Sequence, residues 1–247
     1  MDTTTPANNR VSAFEYTGDD VLDVMAKYAV NRNKTVENLI RQHFGLYKAP
    51  AAPFNLCGFG EGRGEFIDRF QYETHVVTYA TDLDPLYQSR LGERHRAYAD
   101  IAALPTPMHG IFAIDVLEHI EDDRTMLAEL HAALHTGGRL LIYVPARMEL
   151  YSAFDKAIGH FRRYTVAELQ EKAKAAGFEV ETIVYHDFLG YFAAYYNKLF
   201  TSDTNSGLNA RAVAIYDKYL IPFSNFLEKM MGNRPFIGKN VLLVAKK

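Results

Sequence analysis

Tryptophan is absent from the 247 residues, and cysteine occurs once, as Cys57. A lone cysteine excludes an intramolecular disulfide and fits a reducing compartment. An excess of charge is also missing: 27 Lys and Arg stand against 30 Asp and Glu, a net charge of −3. A dedicated nucleic-acid binder normally carries a strong basic footprint, so nucleic acid is not an expected partner. No long hydrophobic run occurs. The longest aromatic-apolar stretch, from Phe188 to Phe200, contains Asn197 and Lys198 and falls short of the roughly 20 residues that span a bilayer. The leading MDTTTPANNR lacks the apolar core of a secretory signal. The expectation is a cytoplasmic protein with no transmembrane segment. What is present is ordinary for one large globular α/β domain: 48% hydrophobic and 23% charged residues.

The first helical pattern runs from about Asp19 to Phe44. Val21, Leu22, Val24, Met25, Tyr28 and Ala29 recur at helical spacing, Asn31 to Lys34 interrupt, and Val36, Leu39, Ile40 and Phe44 resume. Residues 49–53 form a Pro/Ala linker, so residues 1–48 are predicted to be a helical lid outside the core. Strand and helix signals then alternate. Strands are predicted near 54–57, 75–80, 96–99, 110–114, 139–144, 178–185 and 240–245. Helices are predicted near 66–70, 85–93 and 123–135, with Gly137 as the C′ stop of the last. Thr165 and Glu168 match a capping box, and the helix behind them stops at Gly177. This alternation predicts a Rossmann-like, doubly wound, mostly parallel sheet of about seven strands. Residues 53–185 are the predicted core and 236–247 its last strand. Residues 186–235, rich in aromatics, are a predicted helical insert capping the active-site edge.

The strongest local signal is NLCGFGEGRGEF, in which Gly58, Gly60, Gly62 and Gly64 alternate between a strand and a helix. Glycines let a chain turn tightly and let a ligand approach the backbone. The dinucleotide fingerprint needs glycine at positions one, three and six. Counting from Gly58 puts Arg63 at six, and counting from Gly60 puts Glu65 there. The Gly-Lys-Ser/Thr of phosphate loops is absent. A strand–helix turn without a ligand is the structural alternative.

The G-x-G-x-G pattern is followed, in order, by TDLDP, AYAD, DVLEH and HTGGRLL. Together these resemble the class I methyltransferases that use S-adenosylmethionine (SAM). The resemblance implies SAM as cofactor, held by Gly58, Phe59, Gly60 and Gly62 of the loop. It further implies Asp82 and Leu83 at the ribose, Asp100 and Ile101 at the adenine, and Asp115 and Val116 at the fourth strand's edge. Each acid taken alone is more often a solvated loop residue. One departure stands out. The family has an acid two residues before the first glycine, and here that position is Leu56. The ammonium of SAM then falls to Glu61, Asn31, backbone carbonyls or a carboxylate from elsewhere. YSAFDKAIGHFRRYT resembles a segment of small-molecule and lipid- or sugar-linked methyltransferases, and AVNRNKTVENLI resembles their lid.

Methyl transfer is an in-line displacement, for which a protein aligns the acceptor and removes its proton. His119, Glu118 and His160 are candidate bases, with His119 first because VLEH lies beside the cofactor. A structural hydrogen bond at a helix start is the equal alternative. Tyr143, Tyr151 and Tyr164 are candidates for contact with the sulfonium. Tyr191 and Tyr195 of the insert, with His160, Arg162 and Arg163, are candidates for binding substrate. Core packing is the alternative for the tyrosines and surface ion pairing for the arginines. No Cys/His/Asp cluster has metal spacing, and no metal is expected. The expected function is methyl transfer to a small-molecule acceptor (a natural product, lipid or sugar conjugate), with S-adenosylhomocysteine as product. A second reading is a cyclase resembling azetidine-2-carboxylate synthases, which release methylthioadenosine. Leu56 suits it, because an ammonium without a neighbouring anion loses its proton more readily. A third is a non-catalytic SAM-binding scaffold. The N-terminal helices and the insert are the candidate surfaces for a homodimer.

Overall fold

The computed structural model describes residues 19–48, 52–200 and 209–247. The polar leader, part of the Pro/Ala linker and residues 201–208 of the insert lie outside the described residues. Seven strands form one sheet: β1 (Phe54–Phe59), β2 (Val76–Thr81), β3 (Arg96–Tyr98), β4 (Met108–Ile114), β5 (Leu134–Pro145), β6 (Glu179–His186) and β7 (Asn240–Lys246). Their spatial order is β3-β2-β1-β4-β5-β7-β6, and β7 runs antiparallel between β5 and β6. The other pairings, β1 with β2 and β4, β2 with β3, and β4 with β5, are parallel. Helices on both sides explain why β4, β5 and β7 read as near-continuous apolar runs: their residues are buried on both faces.

On one face Cys57, Ile111, Leu140, Ile142 and Leu243 pack against Leu127 and Leu130 of α4 (Asp123–Ala133) and Leu169 and Ala173 of α6 (Val166–Ala175). On the other face Leu56, Phe112, Leu141 and Leu242 pack against Ile67, Phe70 and Leu91, the last on α3 (Pro85–Gly92). The N-terminal region divides into α1 (Asp19–Tyr28) and α2 (Val30–His43). Here the structure corrects the expectation of helices outside the core. Val36 and Ile40 of α2, with Phe44 just beyond it, are buried in this second face. Their four-residue spacing makes a single apolar stripe, and the sheet is what covers it.

Local details also differ. Helix α4 ends at Ala133, and Leu134 turns directly into β5. Gly137 (φ 82°) therefore serves the start of β5, donating its N–H to the Lys247 carbonyl (2.9 Å), and is not a C′ stop. Thr165 Oγ1 accepts from the Glu168 N–H at 3.2 Å, but the Glu168 carboxylate pairs with Lys172 instead of closing the box.

A short α5 (Ala153–Ala157) follows β5. After β6 the insert forms α7 (Phe188–Phe200), α8 (Ala210–Ile215), a single π-turn (Tyr216–Leu220) and α9 (Ile221–Met230). It is tied to α2: Asp217 accepts from the N–H groups of Asn31 and Arg32, and Asn225 donates to Thr35 Oγ1 at 2.9 Å. Among the described residues no helix is long and apolar enough to cross a membrane.

Candidate active site

The carboxyl ends of β3, β2, β1 and β4 lie side by side, and each carries a residue singled out above. Asp100 follows β3, Asp82 follows β2, the glycine loop follows β1 and Asp115 follows β4. Adjacent strands are about 4.8 Å apart, so this row spans about 14 Å. Such an edge is where open α/β sheets bind their ligands.

The loop owes its shape to glycine. Gly60, Gly62 and Gly64 have φ of 68°, 53° and 89°, and a Cβ on Gly60 would lie 2.6 Å from Val116 Cγ1. Gly60 and Glu61 donate to the Thr81 carbonyl at 2.9 and 3.2 Å. Gly62 donates to Asp82 Oδ2 at 2.7 Å, and Asp84 N–H donates to Asp82 Oδ1 at 2.9 Å. Burial raises the Asp82 carboxyl above its ordinary range. Leu83 stands 79% exposed on the lip, while Ile101 is buried beneath Asp100, whose Oδ1 accepts from Ala102 N–H at 3.1 Å. Phe59 and Val116 pack on the core at the loop's root. These residues fit SAM, with acids where its hydroxyl and amino donors would lie and small residues where its chain would press on the backbone.

Glu61 is turned inward. Its Oε2 accepts from Phe66 and Ile67 N–H (3.3 and 3.0 Å), its side chain fills the space above Gly58, and burial pushes its carboxyl up to about 8. Asn31 is equally committed, its side-chain amide donating to the carboxylate and carbonyl of Asp217 at 3.1 Å each. Asp115, at φ 54°, is paired with Arg32 of α2, whose guanidinium lies 5.9 Å from the Phe66 ring and 5.6 Å from the Tyr143 ring. Sequence reading did not single out Arg32. It sat in the polar segment between two apolar stripes, and only folding brings it across 83 positions to Asp115.

Tyr143, near the end of β5, is buried, and burial raises its phenol well above the ordinary value. Its hydroxyl lies 3.0 Å from His186 Nδ1, and His186 Nε2 lies 3.4 Å from Glu228 Oε2 in α9. Nearby, Lys239 Nζ lies 5.1 Å from the Tyr216 ring, and burial lowers its ammonium. His186, Glu228 and Lys239 carried no local motif and went unnoticed in the sequence.

A second group gathers behind Asp115. The short turn Leu117–His119 brings Glu118 and His119 to His160, with candidate donor atoms all within 4.8 Å of one another. Glu118 is fully buried and neither carboxylate oxygen has a hydrogen bond. Burial, then the Asp115 charge, pushes its carboxyl well up, while burial and His160 pull His119 down to about 4. Spacing in the sequence had not revealed this grouping, because His160 arrives from the segment beyond β5.

Other candidates lie elsewhere. Tyr164 is a core residue whose hydroxyl lies 3.1 Å from the Leu117 carbonyl and 2.8 Å from Asp123 Oδ2. Arg162 is paired with Asp123 (2.7 Å) and Arg163 with Asp155 through two hydrogen bonds of 2.9 and 3.0 Å. Both guanidiniums thus serve structural ion pairs. The Tyr151 hydroxyl donates to the His160 carbonyl at 2.7 Å. Tyr191 and Tyr195 stack on each other at 6.0 Å, with Tyr195 43% exposed.

A family model for a methyltransferase domain matches residues 25–183. A Mycolicibacterium smegmatis protein named as a probable S-adenosylmethionine-dependent methyltransferase is 28% identical over 201 residues, covering 76% of this chain and 72% of that one. Among solved structures, a SAM-dependent methyltransferase from Archaeoglobus fulgidus matches with a TM-score of 0.56 at 17% identity, over 87% of this chain and 94% of that one. Geranyl diphosphate methyltransferase in complex with SAM matches at 0.57 and 14% identity, over 86% and 84%. At such identities the structures share the fold alone. The family match, the glycine loop and the row of strand-end acids lead to one conclusion: the chain belongs to the class I SAM-dependent methyltransferases, with SAM as its cofactor.

Proposed function

We propose that the protein transfers the methyl group of SAM to a small-molecule acceptor lying at the carboxyl edge of β4 and β5. The observation that carries this reading is the roof over that edge. The insert is hydrogen-bonded to α2 through Asp217 and Asn225, and Arg32 passes beneath to Asp115. A roof of this kind suits a small acceptor better than a macromolecule. Bound SAM supplies an electrophilic methyl on sulfonium. The chain's residues do the rest. Asp82 accepts from the ribose hydroxyls, Asp100 from the adenine amino group, and Leu83 and Ile101 flank the base. Phe59, Gly60 and Gly62 let the methionine chain lie against the backbone, with Val116 below, while Gly58 leaves room for the Glu61 side chain. With Asn31 and Glu61 committed elsewhere, Asp115 is the carboxylate left at the methionine end.

On the acceptor side, the Tyr143 ring lies beside the cation of Arg32, and its hydroxyl is oriented by His186. Lys239 adds a basic group at this edge, beside the Asp187 charge, so an acceptor bearing a carboxylate or phosphate is the first class to test. A specific observation also favours the cyclase reading. Leu56 is buried in the core, Glu61 faces inward, and Asp115 is already neutralised by Arg32. An ammonium bound there meets little uncompensated negative charge.

One experiment separates the readings. The protein is incubated with SAM alone and with a panel of hydroxylated and amino acceptors carrying an anionic group, and nucleosides are followed by mass spectrometry. Acceptor-dependent S-adenosylhomocysteine with a methylated product is the expected result. Methylthioadenosine with a cyclic amino acid from SAM alone sinks methyl transfer in favour of the cyclase. Tight SAM binding with no turnover across the panel sinks both.

A further inference from the structure

We propose that Glu118, His119 and His160 bind a divalent transition-metal ion, in a site separate from the row of acids that takes the cofactor. The argument begins with Glu118. Its side chain is 0% exposed, and neither oxygen meets a hydrogen-bond donor. A carboxylate removed from water without partners is costly, and native chains satisfy such groups with a proton, a donor or a cation. One candidate donor, His160 Nε2, is 3.8 Å from Glu118 Oε1. That is too long for a hydrogen bond. It is close to the separation of two donor atoms that flank one ion, since bonds of about 2.0–2.2 Å place neighbouring ligands about 3–4 Å apart.

The histidines are arranged as ligands are. His160 Nδ1 lies 2.7 Å from Asp155 Oδ1, which orients Nε2 toward Glu118. Asp155 is itself fully buried and held by Arg163 and by the Ser152 N–H and hydroxyl. His119 is hydrogen-bonded to the Gly159 backbone, and its ring meets that of His160 edge-on at a 4.6 Å centroid distance. Metal-binding histidines characteristically give their second nitrogen to a carboxylate or a backbone carbonyl, which fixes tautomer and ring orientation. Here one histidine has each kind of support. Two imidazoles and one carboxylate suit Zn²⁺, Fe²⁺, Co²⁺ or Mn²⁺ rather than Ca²⁺. Three protein ligands leave a fourth position for a water or substrate oxygen. The backbone is already set for this, because the Phe161 N–H bonds the Glu118 carbonyl at 2.9 Å and so fastens the His160 segment to the Glu118 turn.

The test uses the full chain, stripped with a chelator and dialysed. Co²⁺ alone is titrated in and followed by its visible ligand-field absorption, and Zn²⁺ alone is titrated by calorimetry. The expected result is one ion per chain, with the intense absorption of a low-symmetry nitrogen and oxygen site. Glu118→Gln keeps the shape of the carboxylate, and His160→Gln is the second variant should the first unfold. Each is expected to weaken binding at least 100-fold, while His135→Ala leaves it unchanged. His135 is the control because its ring stacks on His109 at 4.7 Å, a rival place for adventitious metal. Unaltered affinity in both ligand variants, or loss in His135→Ala alone, overturns the proposal. So does wild-type protein that binds neither ion, which would leave Glu118 protonated. None of these readouts depends on the methyl acceptor.

Discussion

Asp217 caps a helix far earlier in the chain, its carboxylate accepting the main-chain N–H of Asn31, 186 positions away, at 2.8 Å. The other oxygen takes the N–H of Arg32, also at 2.8 Å. Helix α2 has Ala29 at its N-cap, which offers no side-chain acceptor. The insert therefore supplies what the helix lacks, and an anion sits where the helix dipole favours it. Because Asp217 is buried, removing it takes the acceptor from two N–H groups at the helix start. Asp217→Ala is expected to cost about 1–3 kcal/mol, and Asp217→Asn less. Urea midpoints at unchanged m-value measure it. A midpoint that does not move would show that the cap contributes nothing.

Gly60 cannot become alanine without two penalties. Its φ of 68° disfavours any side chain, and the new Cβ would meet Val116 at 2.6 Å. Gly60→Ala should lower stability by about 1–3 kcal/mol and weaken SAM binding in calorimetry. Adding Val116→Ala should recover part of the stability and little of the binding, since it relieves the contact but not the backbone strain. Full recovery of both would locate the whole effect in the clash.

The protonation of Glu61 gives a pH signature. Its carboxyl is pushed up to about 8 by burial, against an ordinary value of 4.5. Between those values the folded chain keeps a proton that the unfolded chain has released, so stability falls as pH rises through this window. Above the upper value the loss levels off. Glu61→Gln retains an acceptor for the N–H groups of Phe66 and Ile67 and removes the titration. Urea midpoints of the wild type and variant should diverge between pH about 5 and about 8.5, with the wild type falling more. Parallel curves would refute a buried, proton-holding Glu61.

Tyr143 separates positioning from packing. Tyr143→Phe keeps the ring beside Arg32 but removes the hydroxyl bonded to His186. If the hydroxyl orients the acceptor, kcat should fall by roughly 10²-fold or more, with the Kd for SAM nearly unchanged. Glu228→Gln should give a smaller fall of the same kind, because its contact is with His186 and not with the Tyr143 hydroxyl. A change in melting temperature alone, with kcat intact, would make the tyrosine a core residue and nothing more.

Much of the fold is legible along the chain. Strand and helix periodicities alternate, and the turn at Gly177 (φ 97°) and the glycine loop fall where the patterns break. The proposed cofactor side is legible for a related reason. A ligand on an open α/β sheet touches the residues that end each strand, so Asp82, Asp100 and Asp115 are marked by their neighbours in sequence. The rest of this edge is built differently. Arg32 meets Asp115, His186 meets Tyr143 and Glu228, and His160 meets Glu118 through contacts between distant segments. No local pattern announces them. The same limit led the sequence reading to place α2 outside the core and to count Tyr164 in the site. An apolar stripe does not say which surface covers it, and a tyrosine in a motif does not say which way it points.

The sequence by itself determined the family, the cofactor and the order of the elements, because glycine spacing, turn chemistry and strand-end acids act locally on the backbone. Only the tertiary structure decided that α2 and the insert share the cap at Asp217, that Arg32 neutralises Asp115, and that Glu118 is buried beside two histidines. Those outcomes depend on electrostatics between groups far apart in the chain. Folding must first bring such groups within a few ångströms and remove the water between them.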